Sequence, residues 1–392
     1  MEKEKIAQAI QILKEEKIDC WMVADMESEL ISDPIMDYVV GTGVVWLSFF
    51  LFFANGEKQA IVGNLDIEKM QQTGLFDRVW AYKGSPRDSL LEILHRLDPK
   101  KIAIDYSLDN PAADGLTYGK YLKIAELLKE TPFSARLVSA ESIIGKLRGR
   151  KSSGELKLIR AAIEHTVAIL DQVTSRARPG MTEKEVAEII SHERNRLGLK
   201  SSWGEDSCPS VFTGPQTVGA HIGPSGKVLA RGQVFNIDFG VQVERYCSDL
   251  QRTWYILKEQ EKQAPAEVRR GFDTVLQSIQ MAAAALKPGV AGVAIDKIAR
   301  DYIVSQGYDE YPHALGHQVG RFAHDGGGLL APAWERYGQL PFIPVEKDQV
   351  YTIEPRIYIK DYGVATVEEM VLVGESGVEF LSPPQRQLFL IK

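Results

Sequence analysis

The chain has 392 residues, of which 44% are hydrophobic and 25% charged, and its formal net charge is −7. These values are ordinary for a folded protein and exclude a disordered chain, while the length favours two domains over one core. The negative charge and the lack of a basic cluster give no reason to expect a nucleic-acid partner.

The N-terminal segment predicts an amphipathic surface helix rather than a signal peptide, because apolar residues recur on one helical face at Ile6, Ala9, Ile10 and Leu13. The most apolar run, 44–54, has about half of the roughly 20 residues that a membrane helix needs. Asn55-Gly56 and a strand-like stretch follow it, which predicts a β-hairpin. We therefore expect no membrane association, a cytoplasmic location, and buried free thiols at Cys20, Cys208 and Cys247.

Strand-like and helical patterns alternate up to about residue 140, which predicts a small α/β domain over 1–140. A basic, glycine-containing stretch follows. Ser152 and Glu155 then form a capping-box pattern that begins a strong helix. We therefore place a linker at 141–152 and a second domain at 153–392.

The second domain repeats itself at an offset of 109 residues. Pro179-Gly180 matches Pro288-Gly289, and Gly198 matches Gly307. Apolar positions match as well: Ile163 with Phe272, Val167 with Leu276, Leu170 with Ile279, Val186 with Ile295, and Ile189 with Ile298. Each half is predicted as helix, Pro-Gly turn, helix, glycine stop and hairpin, so we expect a duplicated α+β unit.

The first predicted hairpin, FNIDFGVQVERYCSDLQRTW, carries two aspartates. Asp238 and Asp249 lie symmetrically about Val243-Glu244, so a two-residue turn there places them directly opposite each other. Carboxylates at this distance repel, and aspartate is a poor strand former. A cation between them resolves both problems. The alternative is that one aspartate merely ends a strand beside the turn.

The second predicted hairpin, VYTIEPRIYIKDYGVATVEEMVLV, carries glutamates on both of its strands. A turn around residues 360–362 places Glu354 opposite Glu368 if the loop has an odd number of residues, and opposite Glu369 if the number is even. The apolar alternation leaves this choice open. Burial of an unpaired glutamate is costly, so a solvent-facing strand is the alternative to a site at Glu354.

Histidines concentrate in the same half of the chain. His313, His317 and His324 lie within twelve residues among glycines, and His221 precedes the first acidic hairpin. Close backbone approach at the glycines favours a site over isolated structural histidines.

Four carboxylates carry a charge of −4, which two divalent cations neutralise. An oxygen-rich set with one imidazole suits Mn²⁺ foremost, with Zn²⁺, Co²⁺ or Fe²⁺ as alternatives. Two such ions about 3.5–4 Å apart activate a water and polarise a carbonyl, which is chemistry suited to amide hydrolysis.

These residues resemble the pita-bread metallopeptidases, which include Xaa-Pro aminopeptidase, prolidase, methionine aminopeptidase and creatinase. The motifs NIDFG, CSDLQRTW, HALGHQVG, TIEPRIY and VEEMVLV follow the family's order, and residues 1 to about 135 resemble the creatinase-type N-terminal domain. The resemblance implies metal ligands at Asp238, Asp249, His317, Glu354 and Glu368, and it selects Glu368 over Glu369.

The resemblance also implies catalytic roles. Glu354 is the ligand expected to take a proton from the water between the cations. His221 and His324 are expected to bind substrate and stabilise the tetrahedral intermediate, and His313 to contact substrate near the scissile bond.

Two positions depart from the family pattern near the last ligand. The family usually has an arginine two residues before the final glutamate, where this chain has Thr366 and one extra residue after the glycine. The glycine that often follows the Glu-Pro pair is replaced by Arg356. We hypothesise that Arg356 supplies the missing guanidinium.

The resemblance predicts a dinuclear-metal peptidase, an Xaa-Pro dipeptidase or aminopeptidase, that cleaves the bond between an N-terminal residue and proline with a metal-bridging hydroxide. The expected partner is a small peptide with proline at its second position, and a homodimer is expected. One alternative is a metal-dependent hydrolase or lyase of the same fold that acts on a small non-peptide substrate. Another is a non-catalytic binding module, against which the complete ligand set argues.

Overall fold

The computed structural model describes residues 1–216 and 222–392, which form two compact units, Met1–Arg148 and Gly149–Lys392. The first unit extends beyond the predicted boundary at residue 140 because helix Glu141–Gly149 follows directly, and its apolar side chains Ile143, Ile144 and Leu147 are fully buried in that unit's core. The segment predicted as a linker, 141–152, is therefore helical over most of its length, and the unit boundary lies inside it.

The first unit is an α/β structure with one six-stranded sheet in the order β4-β3-β2-β1-β5-β6. Its elements are α1 (Glu2–Glu16), β1 (Cys20–Asp25), α2 (Met36–Val39), β2 (Ser48–Phe53), β3 (Lys58–Gly63), α3 (Ile67–Thr73), β4 (Arg78–Tyr82), α4 (Arg87–Leu97), β5 (Ile102–Ile104), α5 (Tyr118–Leu127), β6 (Leu137–Ser139) and α6 (Glu141–Gly149). Strands β1, β2 and β3 are antiparallel neighbours, and the other pairs are parallel. The predicted hairpin is therefore confirmed as β2 and β3.

Both faces of this sheet are covered by helices. Along β1, Trp21 and Val23 pack in the cluster that contains α1, while Cys20 and Met22 pack on the opposite face with α4. Because successive strand residues point to opposite faces, a strand buried on both sides has no polar alternation. In the described part of the chain, no helix combines the length and apolar character needed to span a membrane.

In its described residues, the second unit contains two helix pairs and four small sheets, ordered β11-β10-β7, β18-β12-β9-β8, β13-β16-β17 and β14-β15. Its elements are α7 (Ser153–Arg176), α8 (Glu183–Arg196), β7 (Lys200–Ser201), β8 (Ser210–Thr213), β9 (Val234–Phe239), β10 (Val241–Val243), β11 (Tyr246–Cys247), β12 (Leu250–Ile256), α9 (Ala266–Ala285), α10 (Gly292–Ser305), β13 (Val350–Ile353), β14 (Arg356–Ile359), β15 (Gly363–Thr366), β16 (Glu369–Val373), β17 (Val378–Phe380) and β18 (Phe389–Ile391). The predicted capping box is present at the start of α7.

The structure confirms the predicted duplication. Helices α8 and α10 begin and end at positions that differ by the same 109 residues. Four glycines hold equivalent positive φ angles in the two halves, Gly180 and Gly289 in the Pro-Gly turns and Gly198 and Gly307 after the helices. Only glycine adopts this backbone region at little cost, which explains why these residues recur in register.

Each half uses one face of its hairpin for helix packing. Phe235 and Ile237 of β9 pack with α7 and α8, and Ile353 of β13 packs with α9 and α10. Strand alternation therefore places Asp238 on the face of β9 opposite Phe235 and Ile237, and Thr352 on the face of β13 opposite Ile353. Gln251, which pairs with Asp238, contacts Glu354, so these two faces meet inside the unit where the predicted acidic residues lie.

Candidate metal centre

The first acidic hairpin has a register different from the predicted one. Its two-residue turn is Glu244-Arg245, with φ angles of 46° and 70°, and Asp238 pairs with Gln251 instead of Asp249. The predicted turn at Val243-Glu244 is wrong because a turn of this kind needs positive φ at both central residues, which a β-branched valine resists. Asp249 still shares the face of Asp238, because it precedes Gln251 by two positions.

The second hairpin settles the choice that alternation left open. Its loop comprises residues 360–362, with Asp361 at φ 67°, so the count is odd. The pairs Ile353–Glu369 and Arg356–Thr366 on either side share one register, which sets Glu354 across from Glu368.

Main-chain hydrogen bonds place His317 beside this hairpin. The Thr352 amide donates to the His317 carbonyl over 2.9 Å, and the Glu354 amide donates to the Leu315 carbonyl over 2.7 Å. The Thr352 hydroxyl accepts from the His317 amide over 3.1 Å. Gly316 permits this approach, since a Cβ there would lie 2.0 Å from the Thr352 carbonyl oxygen.

Gly316→Ala should therefore displace His317 and weaken binding of Mn²⁺ by at least about tenfold, as expected for a change that misdirects a ligand. Calorimetric titration of the metal-free protein measures this affinity. Gly226→Ala is the matched control, because a Cβ at that glycine meets nothing within 4 Å. Equal affinities for the two variants would contradict the role of Gly316.

The five predicted ligands converge. The His317 Nε2 atom lies 3.2 Å from Glu354 Oε1, 3.8 Å from Asp249 Oδ2 and 3.9 Å from Glu368 Oε1. Asp238 joins them through the Gln251 amide, whose Nε2 lies 3.5 Å from Asp238 Oδ2 and 3.2 Å from Glu354 Oε2. Exposure is low throughout, from 1% for the Glu368 side chain to 16% for that of Glu354.

The donor set fits divalent cations. Asp249, His317 and Glu368 each offer a ligand atom within 4.8 Å of the others, somewhat wider than the roughly 3–4 Å that bonds of about 2.1 Å produce between ligand atoms around one ion. Asp238 Oδ1 and Glu368 Oε2 are buried and have no hydrogen-bond partner among the described residues. A buried carboxylate oxygen without a partner is costly, and a cation removes this cost.

Burial and mutual repulsion disfavour the charged forms of these acids. Burial, together with the charge of Glu354, raises the pKa of Asp238 to about 8. Burial and neighbouring carboxylates also hold the pKa values of Asp249 and Glu368 well above their usual range. For Glu354, burial raises the pKa, but the hydrogen bond and charge of His317 outweigh this effect and lower it.

The metal-free protein should lose stability as pH rises from about 4 towards about 8. Over this range folded Asp238 keeps a proton that the unfolded chain has released, because its folded pKa of about 8 exceeds the ordinary value of 3.8. Raising the pH therefore favours unfolding. Urea unfolding at several pH values, after removal of cations by a chelator, measures this slope. Asp238→Asn should make this slope shallower, and an unchanged slope in that variant would contradict the assignment.

The other predicted site residues lie around this cluster where the structure describes them. His324 is exposed, and its ring meets that of His317 edge-on at a centroid distance of 4.2 Å. The charge of Glu354 acts to raise the pKa of His313, but burial is the larger effect and lowers it. Arg356 is half-buried and also interacts with the charge of Glu354. His221 lies outside the described residues.

Gln251 was missed by the sequence analysis, although a signal for it existed. It follows Asp249 by two residues in the predicted hairpin, so alternation alone would place both on one face.

Asp296 and Arg300 were missed as well. They are four residues apart on α10 and make a buried ion pair. Arg300 donates to the carbonyl oxygens of Tyr311 and His313 over 2.6 and 2.9 Å, while Asp296 accepts from the Leu315 amide over 3.2 Å. The pair thus fixes the segment that leads to His317.

Comparison with known proteins adds independent evidence. The profile of metallopeptidase family M24 matches residues 157–375. An Xaa-Pro dipeptidase from Pyrococcus furiosus is 30% identical over 270 residues, which are 68% of this chain and 72% of that protein. An Xaa-Pro dipeptidase from Pyrococcus horikoshii is 26% identical over 391 residues, or 98% of each chain. The solved structure of an X-Pro aminopeptidase from Thermotoga maritima has a TM-score of 0.71 at 25% identity, covering 98% of this chain and 99% of that one.

The family match covers more than half of the chain and includes all five predicted ligands, so the chain belongs to metallopeptidase family M24. The protein is therefore a peptidase, its fold is the α+β pita-bread fold with a smaller N-terminal domain, and its family implies divalent metal ions. The resemblance drawn from the motifs is confirmed.

Proposed function

We propose that the protein is a dinuclear-metal peptidase that hydrolyses the bond between an N-terminal residue and proline. The observation that carries this proposal is the convergence of Asp249, Glu354 and Glu368 on the imidazole of His317, with Asp238 joined to Glu354 through the Gln251 amide. Two carboxylate oxygens in this group have no hydrogen-bond partner among the described residues. The relatives that act on Xaa-Pro peptides support the choice of substrate.

The residues proposed to hold the cations are Asp238, Asp249, His317, Glu354 and Glu368. When bound there, two divalent cations would lower the pKa of a water between them and polarise the scissile carbonyl. We propose Mn²⁺ as the native ion, because hard carboxylate oxygens dominate the set. A homodimer and a cytoplasmic location belong to the same proposal, and the family resemblance supports them.

The chain's own residues supply proton transfer and substrate contacts. Glu354 is the proposed proton acceptor, since Oε2 is held by Gln251 while Oε1 faces the His317 ring. His324 and His313 flank the ligands, and burial favours the neutral form of His313 by lowering its pKa. We propose that both contact the substrate, together with His221.

Arg356 is proposed to hold a substrate group through its guanidinium. It pairs across the hairpin with Thr366, so both side chains leave the same face, and it interacts with Glu354 and His313 through their charges. Arg356→Ala should lower kcat/KM for an Xaa-Pro dipeptide by at least about tenfold, or about 1.4 kcal/mol. Arg356→Lys is the control that retains charge. Unchanged kinetics in Arg356→Ala would contradict the proposed substrate contact of Arg356.

The decisive experiment is a panel of Xaa-Pro dipeptides and tripeptides assayed with Mn²⁺, Co²⁺ and Zn²⁺ added to the metal-free protein. Release of proline from dipeptides alone identifies a dipeptidase, and cleavage of tripeptides identifies an aminopeptidase. Matched peptides with alanine in place of proline test the specificity. Cation binding without turnover of any peptide would contradict the proposed function and favour a small non-peptide substrate.

A further inference from the structure

The Gln251 side chain occupies an unusual place inside the metal centre. It lies between two acidic residues from different halves of the second unit, with Nε2 3.5 Å from Asp238 Oδ2 and 3.2 Å from Glu354 Oε2. A primary amide has two N–H donors, so one group can serve both carboxylates. Gln251 is 7% exposed, which protects these contacts from competition by bulk water.

These contacts distinguish the two oxygens of each carboxylate. In Asp238, Oδ2 faces the Gln251 amide, whereas Oδ1 is buried and has no hydrogen-bond partner among the described residues. In Glu354, Oε2 faces the amide, whereas Oε1 lies 3.2 Å from His317 Nε2. One oxygen of each acid thus faces the Gln251 amide, and the other oxygen does not.

Thr366 fixes the orientation of the amide. Its hydroxyl donates to Gln251 Oε1 over 2.8 Å and lies 3.2 Å from the Pro355 carbonyl oxygen. With Oε1 committed to this hydroxyl, the amide nitrogen must face the carboxylates. The reversed amide would point its oxygen at two acids and repel them. The main chain of Thr366 is itself held, because its amide donates to the Thr253 hydroxyl over 3.1 Å.

We propose that Gln251 and Thr366 act together as a positioning pair that selects which oxygens of Asp238 and Glu354 bind the cations. The inference rests on the proposed metal centre and adds to it a chain of contacts from Thr366 through Gln251 to two ligands. Groups that orient metal ligands contribute strongly to affinity, and their removal typically weakens binding roughly 10–100-fold.

Single substitutions test each member of the pair in the full-length protein, with calorimetric titration of Mn²⁺ as the measurement. Thr366→Val keeps the shape of the side chain but removes the donor, and Gln251→Met keeps the length but removes the amide. Each should weaken Mn²⁺ binding roughly 10–100-fold. Thr366→Ser retains the hydroxyl and should bind within about threefold of the wild type, well inside that range. Thermal unfolding of the metal-free variants separates lost affinity from lost folding.

A double-mutant cycle tests whether Thr366 acts through Gln251. In the Gln251→Met background, adding Thr366→Val should cause no further loss of affinity, because the amide that the hydroxyl orients is already absent. A full additional loss would overturn the proposed pair, as would single variants that bind Mn²⁺ like the wild type. If the wild-type protein itself bound no Mn²⁺, the metal centre would fail as well, so the two failures are distinguishable.

Discussion

Glu368→Gln should abolish tight binding of at least one divalent cation and lower kcat/KM by roughly 10³-fold, which corresponds to about 4 kcal/mol. Glu369→Gln, the same chemical change one residue later, should leave both properties close to those of the wild type. The two glutamates are both 1% exposed, so burial alone cannot distinguish them. Their partners can.

Glu368 faces the metal centre, and Glu369 faces an ion pair. Glu368 Oε1 lies 3.9 Å from His317 Nε2, and its Oε2 has no hydrogen-bond partner among the described residues. The Glu369 carboxylate instead pairs with Arg252 over 3.1 Å and accepts from the Gln385 amide over 2.8 Å. Only the first carboxylate has an oxygen available to a cation.

The same two variants should differ in their effect on the stability of the metal-free protein. Glu368→Gln replaces an acid whose charged form is disfavoured by burial and by neighbouring acids, so stability at neutral pH should not fall. Glu369→Gln leaves Arg252 buried without its counter-ion, a loss that typically costs about 3–5 kcal/mol. Urea unfolding and Mn²⁺ titration of both variants provide the measurements. Loss of Mn²⁺ binding in Glu369→Gln alone would show that the assignment is reversed.

Glu354→Gln should lower kcat by roughly 10²–10⁴-fold even at saturating Mn²⁺, the range expected when a proton acceptor is removed. An amide cannot take up the proton that hydrolysis of a peptide releases from water. Steady-state kinetics at increasing Mn²⁺ separate weaker binding from slower chemistry.

Glu379→Gln is the matched control for Glu354→Gln. This glutamate is largely exposed and pairs with Arg160 over 2.9 Å, and it is not among the predicted site residues. Its kinetics should therefore match those of the wild type. A loss of kcat of less than about threefold in Glu354→Gln at saturating Mn²⁺ would be far smaller than expected. It would exclude Glu354 as the proton acceptor.

Local patterns predicted the repeated framework of the second unit well. The capping box at Ser152 and the paired glycines at Gly180 and Gly289 depend on the conformation of a few neighbouring residues, and both are present in the structure. The predicted register of the first hairpin was wrong, because the observed register depends on which two residues tolerate positive φ. The prediction placed the turn by symmetry at Val243-Glu244 and left out the energetic cost of positive φ at valine. The turn lies at Glu244-Arg245.

The sequence by itself determined the residue types of the metal centre, their order and the duplicated framework, because hydrophobic period, turn chemistry and charge are local properties. Only the tertiary structure decided that Glu354 lies across from Glu368, and that Gln251 lies between acids from the two halves. Contacts between residues about a hundred positions apart depend on how the faces of the two hairpins meet. No local pattern encodes that geometry, since it results from the packing of both hairpins against their own helices.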